Sequence, residues 1–523
     1  MEDLPQIPVV GIDVGESTCC MATIVNGHPH VIPNEHGDYV TPSVVLFDSD
    51  TTTVGKPALS SAFHDPASTV YGMKHCIGRA LEHPRVKELL DRGPWSIIYS
   101  DGYPQIEIFN EETDDDAFHI HHGSYTPQQV VTIILEHLRK SAETHFNVDA
   151  TGPRIKAVLS VPAHFGVRER RATMEAGFAA GFDVLGLINA PTAAALAYGF
   201  RKNETQKVLV YDFGGGCVEA ALVAVTEGRE FKILGAESAL IGGEDIDACL
   251  IDHVLSQFQR QHNFDELENI GKLKARLRLK VKDAKHSLVN AGSRSHIVVP
   301  RFYRDKDLSV TLTKNDLDRL CGVLFIAAMK PIHEILRDAD FDVDVVVLCG
   351  GGSRMGRIRE LIQERLPGVP ISRDVNPEEA VAIGTALWAK QIAELALEIS
   401  IEDRLSNTIY LKSPEGPTRT LISRGTALPA SVTEIFITEN QGSTVIPIVE
   451  AEYNISQIIP LGTWRFVCPA AELTFRCNKS GVLDVTARDS VSGRAVAVKQ
   501  CAKLQRSDSD ESFEYVDDVG LEP

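Results

Sequence analysis

An α/β region followed by a separate all-β unit is the architecture that this sequence predicts, and three observations predict it. Residues 7–395 alternate short apolar strands with helical periodicity. Two of those strands, Val9–Asp13 and Val208–Asp212, run into the same Asp-x-Gly turn, giving Asp13-Val14-Gly15 and Asp212-Phe213-Gly214. From Ile409 to Lys503 the pattern becomes alternating strands separated by turn residues, with no helical period.

The elements follow in order. Lys156–Pro162 reads as a short buried strand, and a helix carries Arg170 to Gly177. Val184–Ile188 is another strand, and Thr192–Tyr198 an alanine-rich helix. Between Lys272 and Lys285, Lys and Arg alternate with Leu and Val, which locally suggests a strand. However, Leu273, Leu277, Val281, Ala284 and Leu288 fall on one face of a helix, and the helix is the better reading. Its basic face reads as solvated, with contact to RNA or an acidic partner as the alternative. The periodicity breaks at 396–408, which reads as a linker. In the all-β unit, Glu472–Cys477 and Val482–Ala487 are strands joined by an Asn478–Gly481 turn. After Arg506 come seven carboxylates and no Lys or Arg, so 504–523 is expected to be an acidic, disordered tail.

Composition narrows the functional classes. At 523 residues, 43% apolar and 24% charged, the chain has enough material for large cores and several folding units. Apolar runs such as Val345–Cys349 fall far short of the ~20 residues that span a bilayer. The acidic, proline-bearing start, Met1-Glu2-Asp3-Leu4-Pro5, is unlike a secretory signal, so a cytoplasmic location is expected, with no membrane partner. Ten cysteines without a C-x-x-C pair read as reduced thiols. His119, His121 and His122 lack further ligands at metal spacing. A net charge of −20 argues against direct binding of nucleic acid.

The two Asp-x-Gly turns carry the chemistry. Glycine lets backbone N–H groups approach phosphate oxygens and form an anion-binding nest. The neighbouring aspartate faces a hydrated metal. A pair of such hairpins facing one another grips the phosphates of a nucleotide from both sides.

These turns stand in a wider series. Gly11–Gly15, Thr41-Pro42-Ser43, Lys74 with Ile77-Gly78-Arg79, Val161-Pro162-Ala163, Pro191–Ala195, Asp212–Gly216, Gly242–Asp245, Gly350–Arg354 and Asn376–Ala382 occur in the order and spacing of the DnaK-type heat-shock chaperones. The chain resembles that family over nearly its whole length. The resemblance implies an actin-like, two-lobed ATPase domain over 7–395 and a β-sandwich peptide-binding domain over 409–503. The long helical lid of the family is not recognisable, since about 20 residues follow the sandwich, too few for a helical subdomain.

By the same resemblance, Gly15, Glu16, Ser17 and Thr18 form the first phosphate hairpin and Gly214, Gly215, Gly216 and Cys217 the second. Asp13 and Asp212 face Mg2+ through water, and Lys74 is the catalytic group beside the γ-phosphate of ATP. Gly242, Gly243, Lys285, Gly351, Gly352, Ser353, Arg354 and Glu378 complete the nucleotide site. The departures matter equally. Glu16 stands where the family has a hydroxyl, Cys217 replaces another hydroxyl, Glu219 replaces Asp, and Ala190 replaces Glu. Lys282, His286 and Val289 stand at base-pocket positions usually Glu, Arg and Ser. Pro162 and Arg170 match a pair that relays nucleotide state.

The altered γ-phosphate surroundings, the missing lid and the changed linker Leu395–Asp403 together resemble the Ssz-type members. Those pair stably with the J-domain protein zuotin in the ribosome-associated complex and support a second heat-shock chaperone that acts on nascent chains. The resemblance therefore implies a non-cycling subunit that binds ATP with little or no hydrolysis and reaches the ribosome through its partner. Three other readings stay open: an active ATPase cycling on unfolded polypeptides, a sugar-kinase-like enzyme, and an ATPase lobe kept only as a structural platform.

Overall fold

The computed structural model describes the chain except residues 1–6, 49–50, 101–102, 112–118, 149–151, 201, 291, 338–341, 413–418, 438–443, 453–456, 502–503, 507–512 and 516–523. It divides into two compact units. The first comprises residues 1–163 and 173–400, the second 164–172 and 401–523.

The first unit has the actin-like plan, built on a duplicated sheet. In one sheet the order is Asp183–Asn189, Lys156–Val161, Val9–Asp13, Thr18–Val25, His28–Val31. Val9–Asp13 pairs parallel with Lys156–Val161 and antiparallel with Thr18–Val25. The second sheet repeats this arrangement: Gln206–Phe213 pairs parallel with Val345–Cys349 and antiparallel with Val218–Thr226. Asp13 and Asp212 thus occupy equivalent ends of equivalent strands. The strands are apolar on both faces because helices cover both. Two of these helices, Ala190–Gly199 and Ala380–Glu394, approach so closely that a methyl group added at Gly384 would lie 1.7 Å from the Ala193 carbonyl oxygen.

The disputed basic segment is a helix, Ile270–Asn290, with Leu273, Leu277, Val281, Ala284 and Leu288 buried. Its basic face is not simply solvated, which corrects the sequence expectation. The Arg278 guanidinium lies 3.7 Å from the centre of the Tyr71 ring, Arg276 lies over Phe63 and Phe302, and Lys285 is buried. Within the segment read as a linker, Ser400–Glu402 is a short strand, and the Ser400 N–H donates to the Arg229 carbonyl at 2.8 Å.

The second unit is a β-sandwich. One sheet orders Arg419–Ile422, Thr408–Leu411, Thr444–Glu452, Gln457–Phe466 and Val498–Cys501. The other orders Ala430–Ile437, Ala470–Cys477, Leu483–Asp489 and Ala495–Val496. Ile448, Trp464, Phe466, Leu473 and Phe475 fill its core together with Val167, which explains why 164–172 belongs to this unit. There the Arg170 Nε donates to the Phe165 carbonyl at 2.8 Å and its Nη1 to the Ser480 carbonyl at 3.2 Å. Among the described residues no helix follows Ile401. Leu504–Arg506 and Phe513–Tyr515 pair as short antiparallel strands, and most of the remaining acidic tail lies outside the described residues. The side chains of His119, His121 and His122 lie outside them too. Among the described residues no helix is long and apolar enough to cross a membrane.

Candidate nucleotide site

The first hairpin begins where Val9–Asp13 ends. Gly15 is required there, since a methyl group on it would lie 1.9 Å from the Thr18 carbonyl oxygen. Ser43 pins the turn from below: its hydroxyl donates to the Gly15 carbonyl at 2.8 Å and its N–H to the Ser17 carbonyl at 3.0 Å. Ser160, on the neighbouring strand, donates to Asp13 Oδ1 at 2.7 Å and accepts from the Val14 N–H at 3.1 Å. Asp13 is therefore fixed in place by a residue far away in sequence.

The second hairpin is closed by the Gly214 N–H donating to the Cys217 carbonyl at 3.0 Å. The helix Gly243–His262 docks its N-terminus on this turn, with the Gly243 N–H on the Gly214 carbonyl at 3.0 Å and the Glu244 N–H on the Gly215 carbonyl at 2.8 Å. Asp245 caps that helix, accepting from the Gly242 N–H at 2.7 Å.

Carboxyl groups crowd between the hairpins. Burial pushes Asp212 up to about 8, with Glu219 and Asp13 adding to the rise and Lys74 opposing it. Asp13 is raised by burial too, against Lys74 and the Ser160 hydrogen bond. Lys74 is itself buried, on the short 3-10 turn Lys74–Cys76. Glu16 points inward: its Oε2 accepts from the His75 N–H at 3.0 Å, and burial, reinforced by Glu244, raises it to about 8. Glu244 goes the other way. Burial works against it, yet Arg278 and Lys282 hold it below the usual range. Burial keeps the Cys217 thiol neutral, well above its ordinary value.

Further out, Lys285 donates to the Gly243 carbonyl at 2.9 Å and pairs with Asp247 at 2.8 Å. Burial lowers Lys282 and His286 on the same helix. Val289 packs against the apolar core. Gly351–Arg354 forms a 3-10 turn whose Arg354 pairs with Glu378 at 2.8 Å and bonds Asn376 at 2.9 Å. The structure thus gathers Asp13, Glu16, Ser17, Lys74, Asp212, the second hairpin, Gly242 and Gly243, and links Arg354 with Glu378. Sequence reasoning assigned no role to Arg85, Ser160, Glu244, Asp245, Asp247 or Arg278, whose partners are distant in the chain. For Glu244 and Asp245 the Gly-Gly-Glu-Asp motif was the available signal.

Comparison with known proteins agrees with this geometry. The family model described as Hsp70 protein matches residues 9–518. The chain is 31% identical over 512 residues to a heat shock protein of Pyricularia oryzae, covering 94% of this chain and 81% of that one. It is 31% identical over 512 residues to "Heat shock 70 kDa protein 2" of Paracoccidioides lutzii, covering 93% and 76%. "Heat shock 70 kDa protein" of Neurospora crassa is likewise 31% identical over 513 residues, with 93% and 76% covered. The duplicated sheet, the paired hairpins and these matches place the chain in the Hsp70 protein family.

Proposed function

We propose that this chain is a non-cycling Hsp70-type chaperone subunit that binds ATP with Mg2+, hydrolyses it little or not at all, and pairs stably with a zuotin-like J-domain protein. Through that partner it reaches the ribosome and supports a second heat-shock chaperone in co-translational folding in the cytoplasm. The observation that carries this reading is Glu16, a buried carboxyl in the first hairpin, fixed on the His75 N–H beside Lys74.

The residues fit the cofactors. Asp13 and Asp212 are buried carboxyls raised in pKa, and Asp13 adds to the rise in Asp212; a hydrated divalent cation relieves that excess of negative charge. Magnesium, when bound, screens the phosphate charge. Gly15–Thr18 and Gly215–Cys217 supply backbone N–H groups for the phosphates, an affinity that depends little on side chains. Lys74 compensates charge between the two aspartates. Catalysis of phosphoryl transfer depends on positioning and charge compensation, and Glu16 adds a carboxyl at that place while Ala190 removes one. Binding persists and turnover falls.

Single-turnover ATP hydrolysis, with and without a J-domain protein, tests the reading. The expected result is measurable binding with negligible, unstimulated turnover, and Glu16→Thr with Ala190→Glu raises the rate while affinity stays within about threefold. Strong J-stimulated turnover in the unmodified protein would mean an active, cycling chaperone instead.

A further inference from the structure

We propose that two clasps, Arg85 on Asp245 and the Arg278–Glu244 pair gripped by Ser17 and Tyr71, hold the two hairpins against each other and keep the lobes of the first unit shut without nucleotide. The proposal rests on reading the hairpins as the nucleotide site, but the closure itself is made by the chain alone.

Arg85 lies at the start of the helix Pro84–Arg92, where the His83 ring nitrogen Nδ1 accepts its N–H at 3.1 Å. Its guanidinium reaches across to the second hairpin. Nη2 donates to Asp245 Oδ2 at 3.0 Å and to the Gly216 carbonyl, and Nη1 to Asp245 Oδ1 at 3.3 Å and to Glu88. Arg85 and Asp245 are both buried. The second clasp is built on an ion pair within the second lobe, and Ser17 and Tyr71 of the first lobe close on it. Arg278 Nη2 donates to Glu244 Oε1 at 2.7 Å, and its guanidinium lies over the ring of Tyr71. Ser17 of the first hairpin donates to the same Glu244 oxygen at 2.9 Å.

Between the clasps the hairpins touch. A methyl group on Gly215 would meet Ser17 Oγ at 2.1 Å, and one on Gly216 would meet the His75 ring at 2.5 Å and Glu16 Cγ at 3.1 Å. Every bond here joins one part of the chain to another.

Opening the cleft would leave the buried Arg85 and Asp245 without each other, which is strongly unfavourable, and would part Ser17 from Glu244 and the Arg278 guanidinium from the Tyr71 ring. A ligand shifts a two-state equilibrium only by its differential affinity for the two states. Where the closed state already dominates, ATP has little left to shift. Such a subunit presents its partner with one conformation whatever the nucleotide. Arg85 and Arg278 are positioning residues: they act on phosphate through the hairpins.

Hydrogen–deuterium exchange on the full-length protein, nucleotide-free and with Mg-ATP, tests this. In the unmodified chain, exchange in residues 69–92 and 243–290 is expected to change by less than about threefold on adding ATP. In Arg85→Ala/Arg278→Ala, nucleotide-free exchange in those segments rises by about tenfold or more and ATP reverses it. Slowing of about tenfold by ATP in the unmodified chain, or a double variant that exchanges like it, overturns the proposal. If the double variant exchanges fast everywhere, Ser17→Ala decides, because it deletes a single hydrogen bond: faster exchange confined to the two segments supports the clasps, and no change refutes them. Calorimetry with Mg-ATP runs in parallel. Failure of ATP to bind sinks the nucleotide reading, while the nucleotide-free comparison still judges the clasps.

Discussion

Gly242→Ala is the sharpest single perturbation of the nucleotide site. The added methyl group would lie 2.1 Å from the Gly215 carbonyl oxygen, 2.4 Å from the Gly215 carbonyl carbon and 2.5 Å from the Gly216 nitrogen. All three are backbone atoms, so no rotamer change relieves the clash. Ordinary contact begins at 3.4 Å, and the second hairpin must therefore retreat by about an ångström or more. A shift of that size takes a backbone N–H out of hydrogen-bond range of a phosphate oxygen. A hydrogen bond to a charged group contributes about 1.5–3 kcal/mol, so losing one weakens ATP binding by about 10- to 150-fold. The fold itself loses about 1–3 kcal/mol from overpacking. Gly235→Ala is the control, because nothing lies within 4 Å of the added methyl group and the strand there has no positive φ. Its stability stays within about 0.5 kcal/mol and its ATP affinity is unchanged. Calorimetric titration with Mg-ATP, alongside thermal melts, reads both effects. A folded Gly242→Ala protein that binds ATP like the unmodified chain would refute the assignment of this hairpin to phosphate.

Other outcomes follow from named groups. Glu450 accepts from the Val167 N–H at 3.0 Å, and burial, with Glu169 adding to it, raises its carboxyl from 4.5 to about 8. The folded chain thus holds this proton more tightly than the unfolded one; the resulting stability is full below pH 4.5 and is lost as pH rises to about 8. Glu450→Gln should therefore melt higher than the unmodified chain at about pH 9 and gain nothing at about pH 5, and equal melting curves across that range would contradict the burial argument. Asp13→Asn should weaken Mg-ATP binding by about tenfold and abolish the further loss caused by EDTA; an intact EDTA effect would move the metal elsewhere. For the partner, a pull-down of a zuotin-like J-domain protein should fail when residues 409–503 are deleted and survive Lys74→Ala, since an open sandwich offers strand edges and a groove for an extended segment. The opposite pattern would shift the interface to the ATPase lobes.

The hairpins were legible because their chemistry is local: an apolar strand, an aspartate and glycines that permit a tight turn. The helix Ile270–Asn290 was legible because its apolar residues keep one face despite the basic interruptions. Its arginines were not, because Arg278 is explained by Glu244 and Tyr71, which no local pattern ties to it. Asp13 and Ser160 are 147 residues apart and Arg85 and Asp245 160 apart, distances over which periodicity carries no information. The boundary of the second unit was hidden for the same reason. Val167 looks like an ordinary helical residue until the sandwich core closes over it.

Charge balance explains why Glu16 should impair turnover more than binding. Glu244 and Asp245 are matched by Arg278 and Arg85, so the start of the helix Gly243–His262 brings little free negative charge to the cleft. Asp13, Glu16 and Asp212 are instead all raised by burial, Glu16 and Asp212 to about 8. Near neutral pH a carboxyl raised that far is largely protonated, so Glu16 meets a bound triphosphate as a neutral group and does not expel it. Transfer of the γ-phosphoryl group, however, needs donors and cations aimed at developing charge, and Glu16 brings no cation while it takes up the His75 N–H. The same backbone N–H that would be free to bind an oxyanion is occupied by the protein's own carboxyl oxygen. Affinity survives through the glycine amides, and the barrier to hydrolysis stays high.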